Sequence, residues 1–102
     1  MNMGDLLKQA QQFQQKMGAV QEELSHKVVT GTAGGGMVTA TVNGKGELVG
    51  LAIEQDIVNP NDVQMLQDLI RAAVNDGLNK ARDLGKEEMG KLTGGLNLPG
   101  MF

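Results

Sequence analysis

Cysteine, tryptophan and tyrosine are absent from this 102-residue chain, and phenylalanine occurs only at Phe13 and Phe102. Without cysteine the chain has no disulfide, no thiolate metal site and no cysteine nucleophile. The scarcity of aromatic side chains argues against a protein that stacks single-stranded bases on aromatic platforms. No apolar run approaches the ~20 residues of a membrane span, and the start lacks the pattern of a signal peptide. We therefore expect one cytoplasmic domain with no membrane partner.

Clustered catalytic or metal-ligating side chains are missing as well. His26 is the only histidine, and none of the partner ligands that zinc requires accompanies it in the sequence. Ser25 precedes it, but adjacent residues rarely aim at each other and no orienting acid is evident. Residues 34–36 are all glycine, yet they lack the Lys-Ser/Thr pair and the helix that complete a phosphate-binding loop. We predict a protein that is not an enzyme and that uses neither a metal ion nor a cofactor.

Basic residues do not dominate the charge, since the formal net charge is −3 and the isoelectric point is near 5.0. The acidity is concentrated in residues 46–70, which contain five acidic and no basic residues. Residues 1–45 and 71–102 each carry a formal charge of +1. A local basic surface on the flanking segments is therefore compatible with the composition. The alternative is ordinary solvated helix faces with ion pairs four residues apart.

The most informative pattern is an apolar repeat near the start of the chain, with spacings that alternate between three and four residues. This repeat, which we call the apolar seam, consists of Met3, Leu6, Ala10, Phe13, Met17, Val20 and Leu24. It is typical of a helix that packs along one narrow line against another helix. A helix over residues 2–25 would be roughly 33 Å long. A small domain cannot cover that length alone, so the seam predicts a partner.

Three strand patterns follow the first helix. Residues 27–33 are rich in β-branched side chains, and residues 37–42 alternate valine and alanine with threonine. Residues 47–53 place Val49, Leu51 and Ile53 on one face under simple alternation. Asn-Gly at positions 43–44 is a strong hairpin signal. We therefore predict a three-stranded antiparallel sheet.

A second long helix is predicted after the sheet. Asn59 is the expected N-cap, Pro60 suits the first helical position, and Asp62 sits where a carboxylate reaches back to the cap. We predict one domain over residues 1–92 and a flexible apolar tail over residues 93–102. The expected fold is α+β with the order α-β-β-β-α. One uncovered sheet face, two sheet edges and the apolar seam together predict a homodimer.

Several segments resemble a known family when they are taken in order. Residues 7–17, 21–24, 38–44, 68–76 and 95–100 are similar to the YbaB/EbfC family of bacterial nucleoid-associated proteins. The resemblance spans about residues 7–100. It implies a tweezer-like homodimer whose long helices project from a sheet body. It also implies DNA binding that alters DNA conformation, with roles in nucleoid organisation and gene expression.

Candidate DNA contacts follow from the positions of the basic residues on the two predicted helices. They are Lys8 and Lys16 on the first helix, and Lys80, Arg82, Lys86 and Lys91 on the second. Arg71 and Arg82 are the only arginines, so bidentate guanine contacts are few and we expect low sequence specificity. The alternative function is a protein-interaction module that docks a partner through the apolar seam or the tail. The tail contributes the apolar residues Leu96, Leu98, Met101 and Phe102.

Overall fold

The structure is a computed structural model that describes residues 2–93, and it confirms the predicted α+β class and α-β-β-β-α order. Element boundaries lie within about one residue of those predicted, except at the start of the second helix. The predicted tail, apart from Thr93, falls outside the described residues. The elements are α1 (Met3–His26), β1 (Val28–Ala33), β2 (Val38–Asn43), β3 (Leu48–Ile53), a short 3-10 turn (Gln55–Ile57) and α2 (Val63–Thr93).

The three strands form one antiparallel sheet in the order β1-β2-β3. The glycines of the β1–β2 turn all have positive φ, a conformation that side chains rarely adopt. A bulge between Thr41 and Val42 breaks the alternation of β3, because Val42 pairs with Leu48 while Thr41 pairs with Gly50. Val49 therefore has no cross-strand partner, and it does not continue the face of Leu51 as simple alternation predicts.

Helix α2 crosses one face of the sheet over β1 and β2, and the two backbones meet at Gly31. A Cβ atom at Gly31 would overlap the Gly77 amide nitrogen and the Ala73 carbonyl oxygen, and it would lie 2.7 Å from the Gly77 Cα. The absence of side chains at Gly31 and Gly77 is what permits this contact. Beneath the helix lies the core, whose fully buried apolar residues include Val38, Ala40, Val42, Ala73 and Ala81.

The start of α2 differs from the prediction by three residues. The Asn59 side chain accepts a hydrogen bond from the Asn61 amide (2.9 Å), and the Asn59 carbonyl accepts one from the Asp62 amide (2.9 Å). Residues 59–62 therefore form a turn with Pro60 at its second position. The Asp62 carboxylate accepts from the Met65 amide (3.2 Å), so Asp62 caps the helix. The predicted Asn59 cap was wrong because the local turn uses its side chain.

The apolar seam becomes more buried from the beginning of α1 to its end. Leu24 is buried, Phe13 and Val20 are half-buried, and Met3 and Leu6 are 75% and 51% exposed. Contacts between α1 and α2 therefore involve the later part of the seam. Within residues 2–93, the early part has little covering and remains available to a partner.

The molecule is elongated because both helices extend beyond the sheet. Its extents are 69 × 24 × 16 Å and its radius of gyration is 19.3 Å, against about 13 Å for a compact domain of this length. Leu92, near the end of α2, lines a groove with Phe13 in the middle of α1, so the helices run side by side in opposite directions. Neither helix in the described part of the chain is long and apolar enough to cross a membrane.

Candidate nucleic-acid interface

The four predicted basic contacts on α2 divide between two sides of the helix. With about 100° per residue, Lys80 and Lys91 lie roughly 20° apart, and Arg82 and Lys86 lie roughly 40° apart. The two pairs are separated by about 200° at Lys80 and Arg82. All four side chains are exposed. The basic residues of α2 therefore form two pairs and do not share a single strip.

Lys80 is held by groups of its own chain. Its Nζ lies 3.2 Å from the Asp76 carboxylate and donates to the Thr30 carbonyl at 3.1 Å. The Asp76 carboxylate also accepts from the Thr32 amide at 3.0 Å. The Thr32 hydrogen bond, followed by the one from Lys80, lowers the pKa of Asp76. This network fastens α2 to the edge strand β1 and engages the charge of Lys80.

Lys91 belongs to an ion-pair cluster at the junction of α1 and α2. Its Nζ is 3.5 Å from Glu88 and 4.0 Å from Glu87. The Glu88 side chain is only 10% exposed and accepts a hydrogen bond from Lys27 Nζ at 2.9 Å, while Lys27 also pairs with Glu23 at 3.1 Å. The bond to Lys27 is the main cause of the lowered pKa of Glu88, and the same bond raises the pKa of Lys27. Lys91 is thus partly neutralised.

Arg82 and Lys86 are different, since neither forms an ion pair among residues 2–93. The Arg82 guanidinium donates only to a neutral acceptor, the Asn79 side-chain oxygen, at 3.1 Å. Lys86 lies one helical turn beyond Arg82. These two exposed cations on one side of α2 are free to attract an anion.

On α1, Lys8 and Lys16 are also exposed and form no ion pair within the described residues. Their eight-residue separation places them roughly 80° apart around the helix. Lys16 borders a groove of about 290 Å³ between α1 and the end of α2, where hydrogen-bonding side chains meet an apolar wall. The other residues of this groove are Gln9, Gln12, Phe13 and Leu92.

Lys45 is a further exposed cation that the charge positions on the helices did not predict. It lies in the β2–β3 turn and lines a groove opposite α2 together with Arg82. The Asn-Gly signal at 43–44 predicted the turn and thus an exposed Lys45, but the sequence does not show that the turn faces Arg82. That proximity depends on how α2 crosses the sheet.

The residues considered for catalysis make only local hydrogen bonds. Ser25 Oγ donates to the Glu22 carbonyl at 2.6 Å, and His26 Nε2 lies 3.1 Å from the Glu22 carboxylate. Both interactions are exposed and fall within the last turns of α1. Among residues 2–93, no cluster of three or more His, Cys, Asp or Glu side chains could hold a metal ion. The chemistry that this surface offers is attraction of anions by exposed cations.

Comparisons with known proteins agree with the resemblance seen in the sequence. The model of the YbaB/EbfC DNA-binding family matches residues 1–96. A nucleoid-associated protein of Desulfotalea psychrophila is 54% identical over 99 residues, covering 97% of this chain and 93% of the relative. A nucleoid-associated protein of Clostridium novyi is 55% identical over 102 residues, covering 100% of this chain and 90% of the relative.

A solved structure shows a similar fold. The crystal structure of an uncharacterized protein from Helicobacter pylori superposes with a TM-score of 0.81 at 26% sequence identity. The match covers 90% of this chain and 97% of that chain. The arrangement of two long helices around a three-stranded sheet therefore has a close counterpart among solved structures.

Proposed function

Because this chain belongs to the YbaB/EbfC DNA-binding family, we propose that it is a nucleoid-associated protein that binds double-stranded DNA in the cytoplasm. The observation that carries this proposal is the set of exposed cations without ion pairs among residues 2–93. They lie on helices that extend beyond the sheet, where a duplex can reach them, and they are Lys8, Lys16, Arg82 and Lys86.

The available groups suit phosphate contacts better than base contacts. Of the two arginines, Arg71 pairs with Asp68 at 3.0 Å and Arg82 donates to Asn79. Few bidentate contacts to guanine are therefore possible. Binding through lysines to phosphates carries no direct sequence information. We infer low sequence specificity and a strong dependence of affinity on salt.

Dimerisation supports this function because it doubles the number of phosphate contacts. Two apolar surfaces have little covering in the described part of the chain. One is the early part of the apolar seam, and the other is β3, where Leu48 and Leu51 are 47% and 45% exposed. A second copy that covers either surface would present two pairs of long helices. Such a tweezer-like homodimer would alter DNA conformation and influence nucleoid organisation and gene expression.

Light scattering tests the homodimer directly. A dimer has twice the 10.8 kDa mass of one chain at micromolar concentration. Leu6→Glu and Leu51→Glu place a charge on the early seam and on β3, respectively. Conversion of one variant to a monomer identifies the surface that the second copy covers. A monomeric parent would contradict the dimer, and the exposed seam would then favour the alternative function of docking a different protein.

DNA binding by the free cations is tested with two double variants of equal charge change. Arg82→Gln/Lys86→Gln removes the cations without ion pairs, and Lys80→Gln/Lys91→Gln removes the paired ones on the same helix. At 50 mM salt each lost phosphate contact costs about tenfold in affinity. Fluorescence anisotropy with AT-rich and GC-rich duplexes should show a much larger loss for the first variant, equal for both duplexes. Equal losses for the two variants would contradict this assignment.

A further inference from the structure

A groove separates the β2–β3 turn from the middle of α2. Its volume is about 360 Å³, within the range of sites that hold small ligands. Backbone of the turn forms one wall and a stripe of α2 forms the other. The lining residues are Gly44, Lys45, Gly46, Leu78, Ala81, Arg82 and Gly85.

The groove is held open by a firmly anchored turn. The Gly44 amide donates to the carbonyls of Leu24 (2.9 Å) and Lys27 (2.8 Å), and a Cβ at Gly44 would lie 2.7 Å from the Leu24 side chain. The Asn43 side-chain oxygen accepts from the amides of Lys45 and Glu47, each at 3.0 Å. The turn is therefore fastened both to the end of α1 and to its own hairpin, so the groove is preformed.

The charge of the groove comes from Lys45 on the turn and Arg82 on α2. Neither side chain has an ion pair among residues 2–93, and Lys86 adds a third such cation one helical turn away. The nearest acids in sequence are Glu47 and Asp83. Glu47 accepts a hydrogen bond from the Asn43 side chain at 2.9 Å, and Asp83 lies about 100° around the helix from Arg82.

We propose that this groove binds a phosphate of the DNA backbone between Lys45 and Arg82. The amides of Gly44, Lys45 and Gly46 already donate within the protein, so the two side chains supply the contacts. A guanidinium can offer two parallel N–H groups to a phosphate, and an ammonium adds a point charge from the opposite wall. Gly85, which has no side chain, leaves room for the adjoining sugar.

This inference rests on the proposed function, and it adds the sheet to the DNA-binding surface. The predicted contacts all lie on the helices, whereas Lys45 belongs to the hairpin. A duplex held at Lys45 and Arg82 would cross the body of the molecule as well as its projecting helices.

Two variants that act differently test the groove. Lys45→Gln removes one ligand, and Gly85→Leu fills the groove without changing any charge. The Gly85 Cβ position has only the Gly44 carbonyl near it, at 3.8 Å, so the larger side chain can enter the groove without displacing the helix. The matched control is Arg71→Gln, which removes an exposed cation that is paired with Asp68.

Anisotropy at 50 mM salt should show about a tenfold loss of duplex affinity for both test variants and less than about a twofold loss for the control. Circular dichroism confirms that each variant is folded. If the parent binds duplex DNA and both folded test variants bind as tightly as the parent, the groove assignment is wrong although the proposed function stands. A parent that does not bind duplex DNA overturns both.

Nuclear magnetic resonance gives a readout that does not depend on affinity. Addition of a short duplex to the parent should shift the Gly46 amide and Arg82 Nε–H resonances, and Gly85→Leu should suppress those shifts. Titration with inorganic phosphate distinguishes a site for free anions. Saturable shifts with phosphate that a duplex does not displace would overturn the assignment to the DNA backbone.

Discussion

The contact between Gly31 and Gly77 predicts the largest effect of adding a single methyl group to this protein. At Gly31, β1 meets α2 with backbone on both sides. A Cβ there would lie 2.7 Å from the Gly77 Cα and still closer to two other backbone atoms, whereas ordinary van der Waals contact begins at 3.4 Å. Gly31→Ala must therefore move α2 away from the sheet by at least about 0.7 Å, as the difference between those distances shows.

The cost of that movement follows from the contacts it opens. A gap of 0.5–1 Å forfeits roughly a quarter to a half of the dispersion energy of each affected contact. Overpacking typically costs about 1–3 kcal/mol, and rigid backbone on both sides places this case at the upper end. We expect Gly31→Ala to destabilise the protein by about 3 kcal/mol or more. At roughly 4–8 °C per kcal/mol, the Tm falls by roughly 12 °C or more.

Urea unfolding followed by circular dichroism, at one protein concentration for all variants, measures this change. Gly18→Ala is the matched control, because nothing lies within 4 Å of its Cβ position in α1. Relief of the helical glycine should stabilise that variant by up to ~1 kcal/mol. If Gly31→Ala unfolds within about 0.5 kcal/mol of the parent, as surface changes usually do, the close packing of α2 on β1 is refuted.

Other predictions concern electrostatics and the helix cap. The pKa values of Glu88 and Asp76 lie below their ordinary values of 4.5 and 3.8, so their stabilising contributions are present above those values and are lost as pH falls through the lowered ones. The urea midpoint should fall in that acid range, and less so for Glu88→Gln; an identical pH profile for this variant would contradict the role of Glu88. Asp62→Ala should cost about 1 kcal/mol in urea unfolding, whereas Asn59→Ala should leave the α2 cap intact; the reverse order would restore Asn59 as the cap.

The parts of the fold that depend on local patterns were predictable. Alternation of valine and alanine with threonine gave β2, and Asn-Gly at 43–44 gave its turn. The seam repeat gave α1. These signals succeed because each involves residues close together in sequence, and the same physics acts with or without the rest of the molecule.

Features that depend on competing or distant contacts were not predictable. Asn59 has the composition of a cap, but a turn around Pro60 uses its side chain first. Nothing local signals the bulge that leaves Val49 without a partner. The pair between Lys27 and Glu88 joins residues 61 positions apart, so it becomes visible only when α1 and α2 are in place.

The candidate site shows the same division. The spacing of Asp76 and Lys80, four residues apart on a helix, already indicates an ion pair that engages the lysine. The engagement of Lys80 was therefore accessible from sequence, although charge position alone placed it among the DNA contacts. The approach of Lys45 to Arg82 was not accessible, because it is set by the angle at which α2 crosses the sheet.

The central claim is that exposed cations of this chain bind the phosphates of duplex DNA. The most direct test is the equilibrium affinity of the parent protein for one duplex, measured between 50 and 200 mM salt. Each neutralised phosphate contributes roughly 0.9 to the slope of log affinity against log salt concentration, so four free cations per chain predict a slope of about −3.6 or steeper. Affinity that does not change with salt, or no binding at 50 mM, would contradict the account.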